Sequence, residues 1–268
     1  TQDAELIRRA GEAARRQMSP MTDLQMLKLC QRFGTFTSLE WAIDWMTVSP
    51  DRIQRAVPGE AYRYVLVLGS FHPNGYFREK CVYAMAGCQG MLFWLFLRMN
   101  DWVVQVRDAA GEVLEEYLEG CSVKELMESL PAFERLRAGQ RRAESRMQAL
   151  EERMEEKLSC ALRETDPREI SAMELTARRA LYRIAVRGGL WNLEEMESCL
   201  DREKTCCLKR FLIREILFHP DCTLERAEHY LWDTSSQVRR MAVEYRYEQL
   251  KTGWQGLDRM LLDRSRGI

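Results

Sequence analysis

Apolar residues recur at helical spacing along most of the chain, with polar, glycine or proline turns between them. The pattern predicts helices near 3–17, 21–33, 38–48, 59–70, 75–86, 89–99, 102–118 and 122–129. A long helix follows near 132–163, then 168–187, 192–200, 204–218, 223–231, 235–250 and 254–264. No convincing strand pattern appears. YRYVLVLGSF has β-type composition, but its flanks suit a buried helix. The uncharged segment CVYAMAGCQGMLFWLFL, Cys81 to Leu97, is broken by Gly87, Gln89 and Gly90. Each half is too short for a bilayer core of ~30 Å, so two buried helices meeting at a turn are expected and no membrane span.

Two patterns repeat. SLEWAIDWM (38–46), SVKELMESL (122–130), NLEEMESCL (192–200) and TLERAEHYL (223–231) each open on Ser, Asn or Thr. Such residues cap orphan helix amides, and acids in the first turn suit the helix dipole. The second pattern aligns HPNGYFRE from His72, DWVVQVRD from Asp101 and DTSSQVRR from Asp233. A polar head is followed by an apolar residue at +5 and by Arg at +6. HPDCTLER from His219 begins the same way, with Glu225 in the Arg place, and EKTCCLKR from Glu203 is a weaker copy. Copies about thirty residues apart, with two helices each, predict stacked helical hairpins. The head lies in the turn between a hairpin's two helices. Val106 starts the second helix facing the core, and Arg107 beside it can reach carboxylates or turn carbonyls of its own and adjoining units. Ala109 and Ala110 let neighbouring helices come close.

In these residues, above all HPNGYFR and DWVVQVRDAA, the chain resembles the HEAT-repeat (armadillo-like) family, with His72 where that family usually has Asp. The resemblance is clear over 60–120 and 190–250. It implies an all-α fold, a right-handed α-α superhelix of stacked hairpins. The expected blocks are 1–120 and 167–268, joined by a linker region, 121–166, that carries the one long inserted helix. That helix has a thin apolar stripe of Phe133, Leu136, Met147, Leu150, Met154, Leu158 and Leu162, which Gly139 and Gln140 can interrupt. It reads either as a linker with one packed face or as an arm pairing with another chain.

Hydrophobic residues make up 46% of the 268 and charged residues 30%, which indicates an ordered chain. The formal net charge of −1 gives no support to a whole-protein nucleic-acid clamp. Nine cysteines without a CxxC pair, and only three histidines, give no zinc spacing. Reduced, mostly buried cysteines in a cytoplasmic protein are the expectation, and the charged amphipathic opening is unlike a signal peptide. No cofactor or metal site is expected, nor a catalytic group: spacing suggests no Cys–His or Ser–His–Asp set, phosphate loop or HExxH.

The resemblance implies a concave face built from second helices, a surface that typically holds a partner. Arg78, Arg107, Arg239, Arg240 and Arg246 fall on or near second helices, and Trp102 and Trp232 at unit turns. Arg and Trp anchor interfaces. The competing reading makes Asp101–Arg107 and Asp233–Arg239 structural pairs first, with Arg240 and Arg246 freer. The row Arg179, Arg183 and Arg187 reads as a solvated face or a phosphate contact. The leading expectation is a non-enzymatic scaffold for a protein or peptide. The alternative is a HEAT-like DNA-binding protein or alkylpurine DNA glycosylase, whose nearest Trp–Asp neighbourhood here is Trp41, Asp44 and Trp45. HEAT-like bilin lyases are a further alternative with no residue behind it.

Overall fold

The computed structural model describes residues 2–36, 44–57, 59–139 and 144–251. Among the described residues there are sixteen α-helices and no strand, so the all-α expectation holds. The chain divides into two compact units, Thr1–Glu152 and Arg153–Ile268.

In the first unit, α1 (Gln2–Met18) packs on α4 (Glu60–Gly69), with α2 (Asp23–Phe36) and α3 (Pro50–Ala56) also against α4. Helix α4 turns at 70–74 into α5 (Gly75–Ala84). A Cβ on Gly69 would lie 2.6 Å from Cys81 Sγ, so glycine is what lets α4 and α5 pack this closely. The next pair, α6 (Leu92–Arg98) and α7 (Val104–Gly120), repeats the arrangement, and α5 lies against α7. Leu92 to Phe96 are all buried, which is why this segment has no amphipathic period and reads as uniformly apolar. Helices α8 (Val123–Glu128) and α9 (Leu130–Ala138) both pack on α6. As expected, the 81–97 segment is two helices meeting at a turn, here by way of a 3-10 turn at Met85–Gly87. No described helix is long and apolar enough to cross a membrane.

After α10 (Glu144–Glu164), the second unit is three helix pairs: α11 (Pro167–Ala172) with α12 (Leu175–Arg187), α13 (Leu193–Arg202) with α14 (Cys206–Leu217), and α15 (Leu224–His229) with α16 (Ser236–Leu250). Their first helices neighbour one another, α11 on α13, and Arg226 of α15 forms a paired contact with Glu197 of α13 at 2.6 and 2.8 Å. The second helices form their own row, α12 on α14 and α14 on α16. Three of the four expected caps are present. Ser122 accepts from the Glu125 amide, Thr223 from the Arg226 amide, and Asn192 makes a reciprocal capping box with Glu195. The copy at 38–46 lies mostly outside the described residues.

Three expected helices need correction. The single long helix at 132–163 is instead α9 and α10, separated at Gly139. Arg137 Nε lies 3.2 Å from Glu151, whereas fourteen residues of one continuous helix would set them ~21 Å apart, so α9 and α10 are not one helix. All seven residues of the expected stripe are buried, leaving no exposed seam of that stripe for a second chain. The expected helix 168–187 breaks at Met173 and Glu174, where the Glu174 carboxylate caps α12 by accepting from the Thr176 and Ala177 amides. The end of the expected 38–48 helix is a turn, because the Asp44 carboxylate takes the Met46 amide at 3.1 Å. The helix expected at 254–264 lies outside the described residues.

Candidate functional site

The heads and their +6 arginines share one local geometry. At each head the side chain accepts the amide two residues on: His72 Nδ1 from Asn74 at 3.0 Å, Asp101 from Val103 at 3.0 Å, Asp233 from Ser235 at 2.6 Å. The imidazole thus fills the place of a carboxylate at 72. The +6 guanidinium then donates back to the head's own carbonyl, Arg78 to His72 at 2.7 Å and both Arg107 to Asp101 and Arg239 to Asp233 at 2.8 Å. These bonds close the turn and fix the start of the second helix.

A second set of bonds joins successive pairs. Arg78 of α5 reaches forward to Asp101 at 2.9 Å, and both side chains are 3% exposed. Arg98 of α6 adds a 3.1 Å contact to the same carboxylate and donates to the Ser70 carbonyl at 2.6 Å. In the second unit, Arg178 of α12 donates to both oxygens of Glu203 at 2.8 and 3.0 Å. Glu203 also accepts from Tyr182 and from the Lys204 and Thr205 amides, so this fully buried carboxylate is saturated. Glu203 thus takes the Thr205 amide as the other heads take theirs, with Lys209 standing where they have the +6 arginine.

Arg178 went unrecognised in the sequence. It stands at +6 from Ala172, and Ala172 stands 31 residues before Glu203, close to the 30 that separate Glu203 from Asp233. That spacing is the signal that could have found it. Conversely, His219 sits between α14 and α15 and so not in the turn inside a pair. Its ring accepts the Asp221 amide at 3.2 Å, the same local turn, but no +6 arginine follows.

The predicted partner-binding residues separate into three groups. Arg78 is buried, so it cannot meet a partner. Its guanidinium is committed to Asp101 and two carbonyls and carries the Trp102 ring 5.1 Å away. Arg107 and Arg239 are half-buried turn closers, which matches the structural reading of those pairs. Arg240 and Arg246, expected to be freer, are both paired, Arg240 with Glu244 at 2.8 Å and Arg246 with Glu228. Trp102 and Trp232 remain exposed, at 66% and 63%. Val104 and Tyr76 are further exposed apolar groups at the second-helix starts of the first unit, and Phe218 and Tyr247 are exposed in the second. Arg179 and Arg187 are exposed and Arg183 is half-buried. Of the Trp–Asp neighbourhood, Trp41 lies outside the described residues, and Trp45 packs on His72 and Phe77 with ring centres 4.0 and 4.9 Å away.

The thiols of Cys30, Cys81 and Cys199 are pushed up to about 12 by burial, which keeps them protonated at neutral pH. All nine cysteines are free thiols, and among the described residues no group of three His, Cys, Asp or Glu is placed to hold a metal ion.

One carboxyl is raised rather than stabilised. Burial first, and then the fields of Glu128 and Glu125, lift Asp23 from 3.8 to about 6 against the pull of Arg63. The folded chain thus holds this proton more tightly than the unfolded chain. Its contribution to stability is intact below pH 4 and is lost as pH rises through 6. Asp23→Asn is expected to raise stability by about 1 kcal/mol at pH 8 and to leave it nearly unchanged at pH 3.5, measured by urea unfolding at both pH values.

A comparison with protein-family models, curated proteins and solved structures finds no match to this chain.

Proposed function

We propose that this protein is a non-enzymatic interaction scaffold, a HEAT-like stack of helical hairpins that holds a protein or peptide partner on the face made by its second helices. The observation that supports this most is what the repeated turn leaves over. Its polar residues are used inside the stack: Arg78, Arg107, Arg178 and Arg239 all hold turns or heads. Beside those held turns, Trp102 and Trp232 stay mostly exposed. Trp102 is stacked on a buried guanidinium, so little of its freedom is left to lose on binding. A large, pre-oriented aromatic is the side chain that carries interface energy.

The test is affinity capture from cell extract with the intact chain and with Trp102→Ala and Trp232→Ala, each shown by circular dichroism to keep its helix content. The expected result is a discrete partner retained by the intact chain and released about tenfold more readily by at least one variant. Equal retention by all three proteins contradicts the reading. The DNA-glycosylase alternative predicts release of methylated purines from DNA, with loss in Asp44→Asn. The Asp44 carboxylate is instead bound into its own turn.

A further inference from the structure

We propose that a cleft in the first unit, independent of the tryptophan surface, takes a basic side chain, arginine or lysine, presented by a partner polypeptide. The cleft has a volume of about 460 Å³ and lies between the 86–89 loop, the C-terminal end of α7 and the start of α8. That volume falls within the ~300–1,000 Å³ of ligand sites.

Its chemistry selects a cation. Glu116 and Glu125 are both in the wall, and no lysine or arginine is. Gly120, the last residue of the seventeen-residue α7, also lines it, beside Ser122 at the start of the six-residue α8, so the longer of the two helices presents its negative pole here. Arg63, the cation packed under Gly90, is outside the lining. The wall is not purely polar: Val113 and Cys88 give a surface for the methylene stem of such a side chain.

The cleft is also pre-formed. Tyr117 accepts from the Met91 amide at 3.0 Å and donates to Glu125 at 2.8 Å, and Glu125 accepts the Leu92 amide at 3.1 Å. These three bonds tie the incoming loop to α7 and α8, so the site needs no rearrangement to form. Gly90 makes the loop's bend possible, with φ of 73°, a conformation that residues with a Cβ rarely adopt. Glu116 is exposed at the rim and makes none of these bonds, so it can be changed without releasing the loop.

Three probes test the proposal by amide chemical-shift titration of the full chain: acetyl-Gly-Arg-Gly-amide, the same peptide with citrulline for arginine, and agmatine. The expected result is shifts centred on Cys88, Gln89, Gly120 and Cys121, with the citrulline peptide bound about tenfold more weakly and agmatine more weakly than the arginine peptide. Glu116→Lys, checked to melt at the same temperature as the unaltered chain, is expected to abolish those shifts. Equal binding of the citrulline peptide, tighter binding of agmatine, or shifts outside the cleft would overturn the proposal, as would unchanged binding by the variant.

Discussion

Asp101→Ala is expected to destabilise the protein by about 3–5 kcal/mol, the range for removing one member of a buried ion pair. For a domain of this size that is a fall of roughly 10 °C in melting temperature. The reason is geometric. One carboxylate serves two guanidinium groups, Arg78 at 2.9 Å and Arg98 at 3.1 Å, while also closing the turn through the Val103 amide. Truncation leaves the Arg78 and Arg98 guanidinium groups, 3% and 13% exposed, without that counter-charge. Arg98 already shows the stress, since burial lowers its affinity for the proton and Asp101 works against that loss. Asp101→Asn keeps the turn bond and loses the charge, so it is expected to fall between the two. Thermal and urea unfolding of the three proteins measure this ordering.

Glu203→Ala is expected to have an effect of the same size, localised in the second unit. Glu203 is 1% exposed and holds Arg178, Tyr182 and two backbone amides. Its loss orphans the buried Tyr182 hydroxyl and leaves the Arg178 guanidinium with Thr205 Oγ1, at 3.3 Å, in place of a carboxylate. Native-state hydrogen exchange gives the sharper readout. Protection is expected to fall across α12, α13 and α14 and to persist in α4 to α7, with the reverse pattern for Asp101→Ala. Loss of protection throughout the chain for both variants would mean that the two units do not unfold as separate bodies.

The two substitutions also mark what a linear sequence reveals. The bond from a +6 arginine to its own head lies within seven residues, so head and arginine could be paired on spacing alone. The bond from Arg78 to Asp101 spans 23 residues and that from Arg178 to Glu203 spans 25. These depend on one pair of helices lying against the next, which periodicity does not encode. Spacing alone accordingly puts Arg78 on a binding surface, whereas it is among the most buried polar residues. Arg246 misled for the same reason: its partner, Glu228, belongs to the other helix of its pair.

Helix ends were legible where they used ordinary chemistry, as at Ser122, Asn192 and Thr223. They were not legible at Glu174, because glutamate is not a usual cap and no glycine or proline stands at that break. The helix pair α11 and α12 was hidden by this, and with it Arg178. At 139 the glycine is visible, but the apolar stripe from Phe133 to Leu162 continues on both sides of it. His219 was drawn into the head alignment because a histidine–proline turn makes the same bond whichever turn it occupies. The cleft around Tyr117 and Glu125 left no trace in spacing, since it is assembled from three segments that meet only in the fold.

The most direct measurement is a double-mutant cycle on Arg178→Met and Glu203→Leu, followed by urea unfolding. If neighbouring helix pairs are joined through this buried contact, the double variant will be more stable than the sum of the two single losses requires, by about 2 kcal/mol. Losses that simply add, to within ~0.5 kcal/mol, would show that the arginine and the carboxylate act separately and that the pairs are held together by something else.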